Sequence, residues 1–425
     1  ICSRPSRRQL SLAEPTVSSQ QSLQELIESS YAWPVRCLRK SWAVIRQLTW
    51  FSLCVTVVSM PLVWHQFHVV SPISVITNVL LGPMLFVALG SGLATITSGW
   101  IADPLAIIPG YVCDRSLWLM ESTIQAAASV PYGHFWLPSP PAWLVMAFYT
   151  LLVASSIWPR AGGFKLRCAG IVCWSTAAYL VATSPAPLPR GSVEATFVDV
   201  GHGTSVVLRL GPDDVWLYDC GRLGNDLGSS RDIDVTLWSM GITQLDGIFL
   251  SHADADHYNA LPGLLRRFGT AQIITPPGML GEPEPGLAAV RRAIDEAAVP
   301  RRELSAGDVV GSYRWTAAIL HPPAAGVAAS DNANSLVVRI DHQGRSLLLP
   351  GDLEPPGTQI LVNRPRPAPG GVLMAPHHGS VAMESESILQ WGRPSETIVS
   401  GGQRARRPEV REILAMTGSG VHVTA

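Results

Sequence analysis

Acidic and basic side chains are missing from residues 47–102. A stretch of that length without charge excludes an ordinary solvated surface and suffices for two membrane crossings at about 20 residues each. Lysine is missing from Gly191 onward, where every basic residue is arginine. Cysteine is sparse: it stands at positions 2, 37, 54, 113, 168, 173 and 220, and only the last lies in the second half. No CxxC pair occurs, which excludes a cysteine zinc knuckle, and Cys220 has no disulfide partner in its own half. Cys220 reads as a small core residue. The first 30 residues are polar, rich in Ser and Gln, and show no secretory signal pattern.

Two halves of opposite character remain. Apolar runs at residues 50–64, 78–97, 141–158 and 168–183, in a chain of mean hydropathy +0.23, read as four membrane spans. Residues 101–132 carry Asp103, Asp114, Arg115 and Glu121 on an apolar background, which suits an interfacial, re-entrant or lining helix. The stretch 71–83, broken by Pro72, Asn78 and Pro83, suits a pathway lining or a kinked helix. Arg36, Arg39, Lys40 and Arg46, and the basic loop 160–167, are expected to face the cytoplasm. The final span then leads outward and places the second half beyond the inner membrane, if the 101–132 region supplies one further crossing or re-entrant element. The expected boundaries are a polar and basic cytoplasmic segment at 1–45, a transmembrane domain at 46–185, a linker at 186–192 and a second domain at 193–425.

Charge divides the chain at the same place. Residues before Gly191 include 12 basic and 6 acidic side chains, and those from Gly191 onward 19 and 26. The acidic second half excludes indiscriminate binding of nucleic acid by a broad basic surface. Its arginines are clustered, however, and guanidinium forks suit phosphate oxygens. Arg404, Arg406 and Arg407, beside the turn at residues 400–402, are the preferred candidates.

The chemistry is concentrated in that half. His252, Asp254, Asp256 and His257 place four metal-ligating side chains in six residues, between an apolar strand at 247–251 and a helix at 260–268. Such a turn suits two cations a few ångströms apart, and a cation pair suits attack of water on a phosphodiester or an amide. Other apolar runs also end in polar groups: Asp199 and His202, Asp219, Asp352, and the pair His377 and His378. Glycine follows closely each time, letting the backbone turn sharply near a ligand. Five strand tips armed in this way are hard to explain by packing.

These residues resemble the metallo-β-lactamase superfamily. The HxDxDH form, with DVGxG before it and GDLE and PHHGS after it, is similar to the ComEC branch, the DNA-internalisation competence proteins. The resemblance runs from about residue 193 to the end of the chain, and residues 71–83 resemble the competence membrane domain. It implies a multi-pass α-helical membrane region followed by an α/β αββα sandwich, and two divalent ions, Zn or Mn. By that resemblance His252 and Asp254 face one ion, Asp256 and His257 the other, and Asp352 bridges them. One of His377 or His378 completes the second site: His377 is placed on the metal and His378 with the catalytic groups. Asp256 also orients the water, and Ser335 or the histidine not bound to metal assists the leaving oxygen. Asp199, Gly201, Asp219 and Asn332 support the site.

The chain departs from the family pattern in several places. Asp254 replaces the superfamily's second histidine, residues 330–335 offer no imidazole, His202 stands where glutamine is usual, and Arg407 precedes Pro408 where histidine is usual. The first ion is therefore short of nitrogen ligands, which favours manganese as a rival to zinc. The resemblance also implies a fragment, with earlier spans missing and the last strand cut short. The activity implied is a phosphodiesterase, a nuclease outside the membrane that degrades one DNA strand while the other enters. DNA, the lipid bilayer, other competence-machinery proteins and further copies of the chain are the partners expected. Two other readings stand beside it: a DNA channel whose metal domain only grips, and a membrane-anchored hydrolase of a different substrate.

Overall fold

The computed structural model describes residues 31–157, 163–189, 191–224, 226–312, 315–380, 385–402, 406–415 and 418–424. It divides into two compact units, one of residues 1–63 and 69–135, the other of 64–68 and 136–425.

The first unit is helical. Helix α1 (Trp33–Phe67) begins with the basic residues 36–46, and its residues up to 63 belong here. Helices α2 (Ser74–Gly99) and α3 (Asp103–Ala128) come next and pack on each other. Ala88, Gly92, Thr95 and Gly99 recur at helical spacing along one face of α2. Gly92 lies against the Cys113 Sγ, Gly99 against Ala106 and Gly110 against Thr95. Small residues let two backbones approach closely without a large apolar core between them. Large apolar side chains point outward instead: Phe86 is 80% exposed and Trp100 is 89% exposed. Helices α1 and α2 are long and apolar enough to cross a membrane, and almost none of their surface is buried within the protein. The 101–132 stretch forms α3, with Asp114 and Arg115 paired at 2.6 Å on its exposed face.

The second unit contains two further apolar helices, α4 (Ala142–Ile157) and α5 (Phe164–Ala182). The Trp174 Nε1–H donates to the Leu144 carbonyl and its ring tilts against Phe148, which ties the two helices together. At 16 residues α4 spans roughly 24 Å, less than a bilayer core of about 30 Å. Trp158 and residues 160–162 of the expected span and basic loop lie outside the described residues. The expected linker is held against the second half of the chain: the Ala186 N–H donates to the Met240 carbonyl, and Arg209 donates to the Ala186 carbonyl.

The remainder is a sandwich of two sheets with helices on both outer faces. The first sheet contains β1 (Glu194–Phe197), β2 (Val206–Arg209), β3 (Val215–Tyr218), β4 (Gly247–Phe249), β5 (Ile273–Thr275) and β6 (Arg301–Glu303), adjacent in chain order. Its first two pairings are antiparallel and the rest parallel. Helices α6 (Arg231–Ser239), α7 (Leu261–Arg267) and α8 (Pro285–Glu296) cover its outer face. The second sheet contains β7 (Val309–Gly311), β8 (Thr316–His321), β9 (Val337–His342), β10 (Arg345–Leu349), β11 (Val372–Met374), β12 (Glu396–Val399) and β13 (Gly420–Val423). It is antiparallel up to β10 and parallel after it. Helices α9 (Gly357–Val362), α10 (Ser385–Gly392) and α11 (Pro408–Ala415) cover it.

Near-continuous apolar strands produce this layering because alternate side chains face opposite ways. Trp216 and Tyr218 of β3 enter the core between the sheets, while Val215 and Leu217 enter the core under α6 and α7. Leu349 and Met374 face inward in the second sheet, and Leu348 and Leu373 face α9 and α10. Three apolar cores thus separate four layers, αββα.

Candidate metal centre

The polar groups singled out in the sequence stand just beyond β1, β3, β4, β10 and β11, at one end of the sandwich. Their loops meet because the backbones come very close. A Cβ on Gly221 would lie 2.1 Å from the Asp256 carbonyl carbon, so only glycine lets the turn after β3 rest on the 256–257 backbone. Two bonds fix that contact: the Cys220 N–H donates to the His257 carbonyl and the Ala260 N–H to the Cys220 carbonyl.

Asp219 organises the site from beneath. It is completely buried, and its φ of 55° is in the left-handed region that non-glycine residues avoid. Its carboxylate accepts from the Ser251 N–H at 2.7 Å, the Ser251 Oγ–H at 2.8 Å and the His257 Nδ1–H at 2.8 Å. Because the Ser251 proton goes to Asp219, its oxygen accepts from the His252 Nδ1–H at 2.9 Å. On the other side the His378 Nδ1–H donates to the Ser400 carbonyl at 2.6 Å. With each Nδ1 acting as a donor, the three Nε2 atoms are the ones left to offer lone pairs to a cation once deprotonated. None of these buried Nε2 atoms has a hydrogen-bond partner among the described residues.

They face carboxylates instead. The His257 Nε2 is 3.2 Å from Asp352 Oδ1; the His378 Nε2 is 3.4 Å from Asp352 Oδ2 and 3.3 Å from Asp256 Oδ2. The His252 Nε2 is 3.4 Å from Asp254 Oδ2. Two groups result, His252 with His257 and Asp352, and His202 with Asp256 and His378; within each, the ligand atoms lie within 4.8 Å of one another. Buried imidazole lone pairs without donors, set against carboxylates and held by outer hydrogen bonds, are the donor set a divalent cation requires. The residues fit a pair of metal ions.

Protons fill that role in the bare protein. Burial pushes the His257 imidazole down, yet the Asp352 and Asp219 carboxylates more than offset it and hold the group well above its ordinary value. His378 is raised too, with burial opposed by Asp352 and Asp256. Burial pushes the Asp256 carboxyl up, but the neighbouring His378 and His257 imidazoles bring it down to about 2. Asp352 is held far below the usual carboxylate range against burial, chiefly by His257 and His378.

The placement differs from the expected pairing in two ways. His378 stands in the centre, whereas the His377 Nδ1 is 3.8 Å from Glu354 Oε2, away from both groups. His257 lies with His252, not with Asp256 alone, because Asp219 turns its ring toward Asp352. Asp254 is half exposed at the rim. Asp199 is exposed and accepts from the Gly201 N–H, which shapes the loop after β1. Asn332 lies in a short turn, Asn332–Asn334, and Ser335 is completely buried. The next residue ties this segment to the centre: the Leu336 N–H donates to the Ser251 carbonyl at 2.8 Å. Arg406 and Arg407 are exposed just before α11, and Arg404 lies outside the described residues.

Ser251, Ser400 and Asn334 escaped the sequence reading. Ser251 immediately precedes His252, and its hydroxyl couples Asp219 to two rings; that adjacency was the available signal. Asn334 clamps its loop through Val327, accepting from its N–H and donating to its carbonyl. Ser400 acts through a backbone carbonyl, which no side-chain pattern reveals.

Residues 25–162 match the competence protein family, and residues 198–402 match the metallo-beta-lactamase superfamily. The two matches stand in the order that the resemblance to the ComEC family implies. It is 27% identical to ComE operon protein 3 of Bacillus subtilis over 382 residues, which cover 85% of this chain and 48% of that protein. It is 26% identical to competence protein ComA of Neisseria gonorrhoeae over 322 residues, 71% of this chain and 41% of the other. The chain thus spans about half or less of the length of these relatives. Among solved structures, human tRNase Z, short form, shares 15% identity over 50% of this chain and 94% of its own, with a TM-score of 0.32. The residues that match the metallo-beta-lactamase superfamily lie within the sandwich.

Proposed function

We propose that this chain belongs to a plasma-membrane DNA-uptake protein whose second domain is an extracytoplasmic, metal-dependent nuclease. The two family matches support the uptake role. The exposed apolar faces of α1 and α2 support a multi-pass membrane setting, and the charge of residues 36–46 supports an outward-facing second domain. The observation that carries the hydrolytic reading is the convergence of the buried Nε2 atoms of His257 and His378 on Asp352 and Asp256, with His252 grouped beside them.

Two divalent ions, zinc or manganese, would supply an activated water and a Lewis acid for the phosphate. His252, His257 and Asp352 would hold one, with Asp254 near it; Asp256 and His378 would hold the other. Asp256, ionised at neutral pH, accepts a hydrogen bond from the attacking water and orients it. Asp219 and Ser251 keep the rings of His257 and His252 turned inward. His377, outside both groups and beside Glu354, is the histidine available to protonate the leaving oxygen. Ser335 is sealed from solvent, and its neighbour Leu336 braces the strand tip through the Ser251 carbonyl. Arg406 and Arg407 guide the backbone phosphates, because the net charge of the domain repels them.

A second reading has one observation in its favour. Burial, with Asp331, Glu284 and Asp254 around it, pushes the Glu282 carboxyl up to about 7. An acidic rim of this kind disfavours a polyanion and favours a smaller substrate. The purified chain in detergent, given linear single- and double-stranded DNA with Mn²⁺ or Zn²⁺, decides between them. Cleavage lost with chelator and with Asp352→Ala supports the nuclease. DNA binding without cleavage supports a channel with a gripping domain, and turnover of a small ester or lactam alone supports the other hydrolase.

A further inference from the structure

We propose that His202 is itself a metal ligand, completing the site of Asp256 and His378 from a third loop. The assignment rests on the two-ion centre proposed above and names a residue outside the HxDxDH, GDLE and PHHGS motifs.

The loop after β1 is pinned to the centre by its backbone. The Thr204 N–H donates to the Asp256 carbonyl at 3.2 Å, and the Leu223 N–H donates to the His202 carbonyl. Gly203 has a φ of 150°, and a Cβ there would meet the Gly221 carbonyl oxygen at 2.4 Å and the Asp256 carbonyl oxygen at 2.9 Å. Gly402, from the turn after β12, lies against the His202 backbone on the far side. The His202 side chain lies over Asp256. Its Nε2 is 3.7 Å from Asp256 Oδ2, and its ring is 4.6 Å from that of His378.

Those spacings suit one ion. Cation–ligand bonds of about 2.0–2.2 Å set tetrahedral ligand atoms roughly 3.3–3.6 Å apart. The separations found are 3.3 Å from His378 to Asp256 and 3.7 Å from His202 to Asp256. Asp352 Oδ2 lies beside this group, 3.4 Å from the His378 Nε2. The side chain of His202 is 29% exposed, against 13% for Asp256 and 6% for His378, so it lies at the mouth of the site. A nitrogen ligand here offsets the imidazole missing from residues 330–335, although it serves the other ion.

The test is a Co²⁺ titration of the metal-free chain in detergent, read by visible absorption and by metal analysis after equilibrium dialysis. The wild-type chain should take up two equivalents. His202→Ala should keep one at unchanged affinity and weaken the other at least about tenfold, with a changed ligand-field spectrum. His202→Asp, which restores a ligand atom, should recover part of the loss. His202→Gln, which preserves most of the volume, guards against misfolding of the alanine variant. Two ions bound as tightly in His202→Ala as in the wild type would overturn the assignment. Equal weakening of both ions in His202→Ala and His202→Gln would overturn it too, since a structural residue behaves that way. Failure of the wild-type chain to bind any Co²⁺ would instead overturn the two-ion reading on which the assignment stands.

Discussion

The two ligand groups share a strand-to-helix turn but differ in how they are held. His252, His257 and Asp352 are sealed, with relative exposures of 1%, 0% and 5%. The rings of His252 and His257 are fixed through one buried carboxylate, Asp219, and one hydroxyl, Ser251. His202, Asp256 and His378 are more open, and the His378 Nδ1–H is held by a backbone carbonyl, that of Ser400. Rigidity and burial favour a tightly kept ion in the first group. Access to solvent favours an exchangeable ion, and the substrate, at the second.

Among the described residues Asp352 faces a histidine of each group, His257 and His378, so its loss should have the largest effect. Asp352→Ala is expected to remove both ions and to lower hydrolysis on the order of 10³-fold or more; metal analysis and a cleavage assay read the two effects. If one ion stays in place, Asp352 is not shared and the two groups are independent. Asp219→Asn should act on one side only. It keeps the shape but not the charge that orients His257, and about 10–100-fold weaker binding is expected at the sealed group. The open group should change little. Equal loss at both groups would erase the contrast between them.

Much of this was legible in the sequence because apolar strands and their terminal polar residues are local features. Trp216 to Asp219, Ile248 to His252 and Leu347 to Asp352 each announce a buried strand and its tip. Which of His377 and His378 enters the centre was not local. Both adopt left-handed backbone, and the outcome is set by the Ser400 carbonyl, which lies more than 20 residues downstream. The grouping of His257 with His252 likewise depends on Asp219 from another strand. In the helical half, absence of charge marked the apolar runs but not their lengths. It did not reveal that residues 101–132 form a helix packed on α2 through Gly92, Gly99 and Gly110, since small residues carry no hydropathy signal of their own.

Proton competition offers a third contrast, between two buried histidines. His257 is raised by carboxylates, so in the metal-free chain its ion pairs contribute fully below its unfolded value near 6.5. They are lost as pH rises through the raised folded value. Metal must displace that proton, so affinity at the sealed group should rise with pH, as Co²⁺ titrations at several pH values would show. His321, at the end of β8, has no such partners: its Nε2–H donates to the Ala333 carbonyl, and burial lowers it to about 4. The unfolded chain therefore takes up that proton first. Stability is intact above a pH of about 6.5 and is lost as pH falls from there toward 4, by roughly 3 kcal/mol. His321→Gln should flatten this acid limb in denaturant titrations at about 1 kcal/mol of constant cost for the changed hydrogen bond. An acid limb unaltered by the substitution would place the sensitivity elsewhere, in the carboxylates of the centre.

The smallest effect separates two adjacent residues. His377→Asn retains a side chain that tolerates left-handed backbone, so the turn should survive while the imidazole is lost. Its contact with Glu354 spans 3.8 Å and is partly exposed, a pairing worth about 0–1 kcal/mol. Both ions should then bind within about twofold of the wild type, whereas His378→Asn should weaken the open group strongly. The cleavage rate of His377→Asn carries the finer information. A rate that falls while metal content holds assigns His377 to the leaving oxygen, and an unchanged rate leaves it with Glu354 as a brace for the loop. Metal loss in His377→Asn matching that in His378→Asn would mean that the turn as a whole, and not the ring at 378, holds the open ion.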